Sequence, residues 1–361
     1  MDRRGVLRAG ALLGAAGLAG CLGVFETRSA WRDPPIVEDR PDAPYIPAST
    51  EEMGTYGVGE AGEYTVALLY TFPHRFWTVT GTETNMVDIG DDDALHLMAS
   101  VWETESETVV PADVRMTVEG RGERPYAGQL WPMLSQRMGF HYGDNLAVAN
   151  EGAYTATLRI NPADVRGVGG LEGSFEEART VEIGFEYDTD DVYDLEFELV
   201  EESRRGQRGE LPLMDHAEMG HGGGDGHGDH ARMPHPTVPP TDEFPGEVIG
   251  TGESGGAEFV VALDDRFGGP TLVASPRTPQ NRVVLPLMAL SATIDRDGET
   301  VFEGALESRL DADLGVHYGA AVDPMEPGDT VRVETESPPQ VARHDGYETA
   351  FFEMASIELE Y

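Results

Sequence analysis

Hydrophobic side chains recur at every second position in two long stretches of the chain, and this period constrains the fold more than any other feature. In the first stretch, four apolar residues alternate with polar ones: Tyr154, Ala156, Leu158 and Ile160. Successive side chains of a β-strand point to opposite faces, so the period predicts strands buried on one face. Residues 51–202 show no helical period and hold about seven strand candidates between turn residues, which predicts an antiparallel β-sandwich of the immunoglobulin kind.

The second stretch resumes the strand pattern near residue 258 and matches the first in sequence. Residues 128–143 read GQLWPMLSQRMGFHYG and residues 304–319 read GALESRLDADLGVHYG, with the same spacing from the first glycine to the histidine. Upstream, LHLMA at Leu95–Ala99 resembles LPLMA at Leu285–Ala289. An internal duplication accounts for both matches. The sequence therefore predicts an all-β chain of two immunoglobulin-like antiparallel β-sandwich domains.

Five segments follow from where the strand pattern stops and Pro, Gly and charged residues accumulate. We predict an export signal, a tether, a first sandwich that binds metal, a disordered His/Met/Gly linker and a second sandwich with a degenerate site. Their bounds are residues 1–22, 23–50, 51–202, 203–245 and 246–361.

The N-terminus is typical of a lipoprotein exported by the twin-arginine route. Arg3-Arg4 precedes an apolar stretch that is too short to span a bilayer and ends in Leu-Ala-Gly-Cys at Cys21. Cys21 is the only cysteine, so no intramolecular disulfide can form. We expect a lipid on Cys21 to anchor the protein on the outer face of the cytoplasmic membrane.

The net charge of the chain limits the classes of partner that it can bind. It has 66 acidic and 25 basic residues, all of the latter arginine, for a formal net charge of -41. Such a surface repels phosphates, which excludes nucleic acid as a partner, and it concentrates cations. Concentrated salt would screen the self-repulsion, and 40% of the residues are hydrophobic in a periodic arrangement. We therefore expect a folded halophilic protein.

Histidine and methionine cluster in the first copy. Strand alternation places His96 and Met98 on one face, and a second group follows along the chain: Met133, Met138 and His141. If these segments adjoin, soft thioethers and borderline imidazoles favour copper, particularly Cu(I). The alternative interpretation is that the methionines fill the core and the histidines are hydrogen-bonded.

Four segments occur in the order typical of one known family: Leu95–Ala99, Leu130–Met133, His141–Asn145 and Asn161-Pro162. The chain resembles the periplasmic ferrous-iron transport proteins of Gram-negative pathogens and spirochaetes. These are small immunoglobulin-like sandwiches that bind copper and support iron uptake.

The resemblance implies a ligand set on five residues: His96, Met98, Met133, Met138 and His141. Met98 stands where the family has Glu, and Met138 stands where it has Asp. Because thioethers replace two hard carboxylates, the implied site is biased towards copper and away from iron.

The family also has a late histidine that reaches into the partner subunit's site in a homodimer. The segment Arg343-His344-Asp345 resembles it, whereas the first copy has no such histidine after Asn161-Pro162. We hypothesise that the two copies form a pseudo-dimer within one chain, or that the chain forms a homodimer, and that His344 completes the site. The alternative is a solvated loop histidine.

The second copy holds a second candidate site at Met288 and His317. It lacks donors at three positions: Pro286 replaces His96, Arg309 replaces Met133 and Leu314 replaces Met138. We therefore interpret this site as degraded.

The linker holds half of the ten histidines: His216, His221, His227, His230 and His235. Glycines separate them, so the chain could capture copper or zinc without a fixed geometry. The alternative is a hydrophilic spacer.

These features predict a surface-anchored metal-binding lipoprotein that takes part in iron or copper uptake, with a membrane permease as a candidate partner. One alternative is a copper chaperone or detoxification lipoprotein unrelated to iron uptake. Another is a structural surface lipoprotein without a metal. No phosphate-binding loop or nucleophile elbow is present, so no enzymatic activity is predicted.

Overall fold

The computed structural model describes residue 32 and residues 34–215 and 233–361. Strands dominate these ranges, and the predicted all-β sandwich fold is confirmed. Helices in the described chain are limited to α1 (Thr189–Tyr193) and two 3-10 turns at Gly169–Leu171 and Thr241–Glu243. None of the helices in these ranges has the length and apolar character that a bilayer crossing requires.

The strands of the first domain are β1 (Ser49–Glu51), β2 (Gly54–Ala61), β3 (Tyr64–Thr71), β4 (Phe76–Thr80), β5 (Glu83–Val87), β6 (Leu95–Glu103), β7 (Val114–Gly120), β8 (Glu123–Gln129), β9 (Trp131–Ser135), β10 (Gly139–Leu146), β11 (Gly152–Ile160), β12 (Arg166–Gly167), β13 (Arg179–Tyr187) and β14 (Phe197–Leu199). Those of the second domain are β15 (Glu247–Ser254), β16 (Ala257–Asp264), β17 (Thr271–Arg277), β18 (Ala289–Arg296), β19 (Glu299–Asp311), β20 (Gly315–Ala321), β21 (Thr330–Ser337), β22 (Ala342–Arg343) and β23 (Ile357–Glu360).

Two layers form the first domain. One is a four-stranded sheet in the order β13-β11-β7-β8, and the other contains β2-β3-β6-β10-β9. The alternation predicted for β11 is confirmed, because its four apolar residues are all buried in the core: Tyr154, Ala156, Leu158 and Ile160. The core lies where such inward-facing residues of the two layers meet.

The central strands β3 and β6 are buried along their whole length. One face of β6 packs into the core through residues such as Leu97, while the other face carries His96 and Met98. Because both faces are covered, a polar side chain such as His96 needs a partner inside the protein. This face of β6 is therefore where a buried site can form.

In the second domain one long strand joins both layers. The first part of β19 pairs with β18 as far as Leu306, and its last part pairs with β20 from Glu307 onward. The corresponding chain of the first domain is divided at Leu130 into β8 and β9.

Each domain adds a short strand to a sheet of the other. β22 lies between β9 and β4, with Ala342 beside Met133 in parallel register. β12 lies parallel to β19, with Gly167 beside Leu310. The exchange brings the segment after β22 directly onto the His/Met face of the first domain.

Two backbone hydrogen bonds mark equivalent positions in this exchange. The N–H of His344 donates to the carbonyl of Leu134 at 3.1 Å, and the N–H of Val168 donates to the carbonyl of Leu310 at 3.0 Å. Leu134 and Leu310 occupy matching positions in the two repeated segments. Val168 is therefore the first-domain counterpart of His344.

The structure changes the predicted match between Leu95–Ala99 and Leu285–Ala289. In β6, His96 pairs with Asn145 and Met98 with Gly143. In the second domain, β17 pairs with β20 as β6 pairs with β10. There, Thr271 pairs with Ala321 and Val273 pairs with Gly319. The counterparts of His96 and Met98 are thus Thr271 and Val273, not Pro286 and Met288.

The segment Leu285–Ala289 instead leads into β18. The N–H of Met288 donates to the hydroxyl of Tyr318 at 2.9 Å, just as the N–H of Ala112 donates to the hydroxyl of Tyr142 at 2.6 Å. Met288 therefore corresponds to Ala112, and the shared Leu-x-Leu-Met-Ala pattern does not reflect equivalent strands.

The predicted disordered linker, residues 203–245, is ordered at both ends. Leu211 and Val238 are buried, and the Glu210 carboxylate accepts the backbone N–H groups of Gln280 and Asn281. Burial of apolar side chains offsets the entropy lost on ordering these segments.

The predicted tether, residues 23–50, is ordered towards its end as well. Tyr45 is fully buried, and its hydroxyl donates to the carboxylate of Glu348. The predicted export signal with Cys21 and four linker histidines lie outside the described residues: His216, His221, His227 and His230.

Candidate metal centre

The floor of the site is built by three neighbouring strands of the first domain. On β10, His141, Gly143 and Asn145 share one face, and each has a cross-strand partner on that face. His141 pairs with Met133 of β9. Gly143 pairs with Met98 of β6 and Asn145 with His96. The register therefore brings two predicted histidines and two predicted methionines onto one patch.

Gly143 leaves room at the centre of this patch. A Cβ atom at this position would lie 2.5 Å from Nε2 of His96 and 3.3 Å from Sδ of Met133. Any larger residue would fill the space towards which both donor atoms point.

His344 comes to this patch from the second domain. Its Nε2 lies 3.3 Å from Sδ of Met133, and its backbone is held by the hydrogen bond to Leu134. The strand exchange thus places a second-domain imidazole among first-domain donors.

A fourth imidazole, His74, was not predicted from the sequence. It lies in the segment 72–94 between β3 and β6, where the second domain has only the short connection 265–270 between β16 and β17. Its ring centroid lies 4.1 Å from that of His96 and 4.6 Å from that of His344. Because histidine is sparse outside the linker, its rarity was the one signal that could have identified His74.

Hydrogen bonds at Nδ1 fix the tautomers of three of these rings. Nδ1 of His96 lies 2.8 Å from the Asn145 amide oxygen, and Nδ1 of His141 lies 3.0 Å from the Gly139 carbonyl. Nδ1 of His74 lies 3.0 Å from a carboxylate oxygen of Glu51. These oxygens only accept, so each Nδ1 carries a hydrogen, and in the neutral form of each ring Nε2 holds the lone pair.

The Nε2 atoms of His74, His96 and His141 are buried and have no hydrogen-bond partner among the described residues. Buried polar atoms without partners are rare, and a bound metal ion is an established reason for them. Neutral imidazoles whose Nδ1 hydrogen is held by a carboxylate or carbonyl are the usual protein ligands of copper and zinc. The donor set therefore fits a metal ion.

The rings of His74, His96 and His344 are close enough to share one ion, because their ligand atoms all lie within 4.8 Å of one another. Their centroids are separated by 4.1 Å, 4.6 Å and 5.9 Å, the largest distance being between His96 and His344. The rings of His141 and His344 are 5.2 Å apart. Two imidazoles on opposite sides of one ion would have centroids about 6 Å apart, since each ring nitrogen lies about 2 Å from the metal. All measured separations are below this limit.

Burial keeps the imidazoles of His96, His141 and His344 neutral, because it lowers the pKa of each. Burial lowers the pKa of His141 to about 4 and holds the pKa of His96 and of His344 well below the usual value for histidine. The neighbouring imidazole of His74 lowers the pKa of all three further. A neutral ring is the form that binds a metal, so protons compete weakly at these positions.

A cavity of about 100 Å³ adjoins the rings, and His74, His141, His344 and Met98 are among its lining residues. This volume holds an ion and several waters. Met138 lies in the turn before β10, outside the strand register that aligns the other donors of the first domain, and is buried in the hydrophobic core. The structure thus brings together all of the predicted first-site residues except Met138.

The structure does not bring Met288 and His317 together as a second site. The N–H of Met288 meets the hydroxyl of Tyr318, which lies on the face of β20 opposite to His317. The His317 ring stacks on Phe267 with centroids 5.7 Å apart. Arg309 is the cross-strand partner of His317, where His141 has Met133. His317 therefore lacks the methionine partner that His141 has, although its Nε2 is likewise buried without a hydrogen-bond partner among the described residues.

Of the predicted linker histidines, His235 is the one among the described residues, and it is not part of the four-imidazole cluster. Within the described chain, the group of three histidines whose ligand atoms all lie within 4.8 Å of one another is His74, His96 and His344.

Comparison with known proteins supplies partial matches. A family model described as a domain of unknown function (DUF7350) matches residues 242–360, which correspond to the second domain. No curated protein sequence matches the chain. Two solved structures of FetP from uropathogenic Escherichia coli strain F11 are similar, one a copper-bound variant and one as isolated. Each shares 20% identity at a TM-score of 0.29 and covers 38% of this chain, with 97% and 96% of the FetP chain matched.

Proposed function

We propose that this protein binds one copper ion between its two domains and takes part in copper or iron uptake outside the cytoplasm. One observation carries the proposal. The ligand atoms of His74, His96 and His344 lie within 4.8 Å of one another, beside the contact between His344 and Met133. Nε2 of His74 and of His96 is buried without a hydrogen-bond partner among the described residues. Leaving such atoms unpaired costs roughly 1–3 kcal/mol each, which a bound metal would offset.

The donor chemistry favours copper over iron. The inward-facing atoms are imidazole nitrogens and a thioether sulfur, and these soft and borderline donors suit Cu(I) and Cu(II). Two carboxylates line the adjoining cavity, and both are engaged: Glu51 with Nδ1 of His74, and Asp345 with the guanidinium of Arg75. Blue-copper electron transfer needs a thiolate ligand, and the only cysteine, Cys21, lies in the export signal.

The arrangement of the domains supports the pseudo-dimer hypothesis. His344 is a second-domain residue held beside β9 by the exchange of β22. Val168 occupies its counterpart position in the other half of the exchange. We infer that a duplication produced two equivalent interfaces, of which one kept its donors. The copper site is then complete only when the domains are docked.

The wider role rests on the sequence. The lipoprotein signal ending at Cys21 supports an anchor on the outer face of the cytoplasmic membrane, and the net charge of -41 supports local enrichment of cations. The linker histidines would capture ions for the folded site. A membrane permease is the expected recipient of the metal.

A competition titration with Cu(I) and Cu(II) chelators in concentrated salt tests the proposal. The linker is silenced by serine at four positions: His216, His221, His227 and His230. The silenced protein should bind one copper ion, and His141→Ala should weaken binding by at least about 100-fold, as expected for loss of a direct ligand. His317→Ala is the matched control, because His317 is the buried counterpart of His141. This substitution should leave the copper affinity unchanged. Equal effects of the two substitutions would refute the site.

A further inference from the structure

His74 is held by a different kind of acceptor from the other two oriented rings. Its Nδ1 lies 3.0 Å from Oε2 of Glu51, whereas His96 and His141 are oriented by a neutral amide and a neutral carbonyl. A carboxylate behind an imidazole makes the opposite ring nitrogen a stronger donor. The site therefore contains one imidazole whose donor strength differs from that of its neighbours.

The Glu51–His74 pair is fixed in place from several sides. Glu51 ends β1, where it pairs with Phe197 of β14. Its carboxylate also accepts from the Thr71 hydroxyl at 3.4 Å, and Nδ1 of His74 is further held by the Phe72 carbonyl at 3.1 Å. Both residues line the cavity, and Nε2 of His74 is buried with no hydrogen-bond partner in the described part of the chain. The pair thus presents a fixed nitrogen to the metal position.

The second domain shows which residue occupies the position of His74 where most of the companion histidines and methionines of the first domain are missing. His74 follows the end of β3 by three residues, and Phe267 follows the end of β16 by three residues. Phe267 stacks on His317, just as His74 faces the imidazoles of the first domain. An aromatic ring at this position is therefore enough for packing, and packing alone does not require the nitrogen of His74.

The two copper oxidation states need different donors. Cu(I) is satisfied by few soft ligands, which Met133 and the imidazoles supply, whereas Cu(II) prefers additional nitrogen donors in a tetragonal arrangement. We propose, building on the copper site proposed above, that the Glu51–His74 pair sets the oxidation-state preference of the site by supplying the extra nitrogen donor for Cu(II). Met133 has the opposite role and favours Cu(I).

Affinities for Cu(I) and Cu(II), measured separately by chelator competition on the full chain with the linker silenced, test this inference. His74→Phe keeps an aromatic ring at the position, as in the second domain. It should weaken Cu(II) binding by about 10- to 100-fold while changing Cu(I) binding by less than about threefold. The reduction potential should rise by about 59 mV for each tenfold difference. Glu51→Gln should shift both quantities in the same direction by a smaller amount.

His317→Phe is the matched control and should change neither affinity. Met133→Leu should weaken Cu(I) binding more than Cu(II) binding. Equal weakening of both ions by His74→Phe would make His74 an ordinary ligand and overturn the inference while leaving the copper site intact. No effect on either ion would also overturn it. If the parent protein bound neither ion, the copper site itself would be refuted.

Discussion

Nε2 of His344 and Sδ of Met133 lie 3.3 Å apart across the interface between the two domains. A loop histidine of the second domain thereby meets a strand methionine of the first. This contact depends on the insertion of β22 beside β9. The geometry of the candidate metal centre therefore depends on the docking of the two domains.

Replacing His344 by valine tests the contribution of the second domain. Valine is the residue at the counterpart position, Val168, so His344→Val should preserve the backbone hydrogen bond to Leu134. Copper affinity should fall by about 10- to 100-fold or more, because a ligand is lost, while the melting temperature of the metal-free protein changes little. Chelator competition and calorimetry measure the two quantities. Unchanged copper affinity would make His344 a bystander.

Gly143→Ala tests the space at the centre of the site. The added Cβ would lie 2.5 Å from Nε2 of His96, so it should block the metal position and abolish tight copper binding. Gly184→Ala on β13 is the control, because its Cβ would have nothing closer than 4.0 Å. Isothermal titration with both variants would contradict the assigned position if Gly143→Ala bound copper like the parent.

The buried histidines should make the stability of the metal-free protein depend on pH. Burial lowers the pKa of His141 to about 4, so between pH 6.5 and 4 the unfolded chain binds more protons at this residue. Its contribution is complete above pH 6.5, and the free energy of unfolding should fall by up to about 3 kcal/mol as the pH drops to 4. Denaturant unfolding at a series of pH values measures this slope.

The control for that slope is the variant His141→Phe, which should show a shallower dependence than the parent. A comparison of variants is needed because burial also raises the pKa of Asp345 to about 6. This carboxyl changes the free energy of unfolding with the opposite sign over the same pH range. Parallel slopes for parent and variant would contradict a neutral, buried His141.

Salt should stabilise the protein. With a net charge of -41, self-repulsion acts over about 10 Å at 0.1 M salt and over about 3 Å at 1 M. The melting temperature should therefore rise steeply with KCl concentration, and sucrose at matched osmolality is the control for excluded volume. A melting temperature that does not change with KCl would argue against halophilic adaptation.

The sandwich can be identified from the sequence alone because the two-residue hydrophobic alternation of β11 matches the burial of its side chains in the folded strand. The alternation of Tyr154 and Ile160 with polar residues is what a one-sided strand requires. The resemblance to a transport family also directs attention to His96, His141 and His344, which the structure brings to one patch.

The remaining features depend on register and on insertions. His74 lies outside any strand pattern, and its second-domain counterpart is Phe267, so the internal repeat could not indicate a histidine at this position. Met138 has the same chemistry as Met133, but the register of β9 and β10 places Met133 beside His141, while Met138 lies in the turn between these strands and is buried in the core. The match of Leu95–Ala99 with Leu285–Ala289 failed because similar letters occupy strands with different partners.

The most direct measurement is copper X-ray absorption on the full protein with the linker histidines silenced and Met214 and Met219 replaced by leucine. The account predicts a shell of imidazole nitrogens at about 2.0 Å together with one sulfur at about 2.3 Å. The sulfur should disappear in Met133→Leu, and the imidazole count should drop in His96→Ala. A shell of light atoms without sulfur, unchanged by both substitutions, would contradict a copper site between the domains.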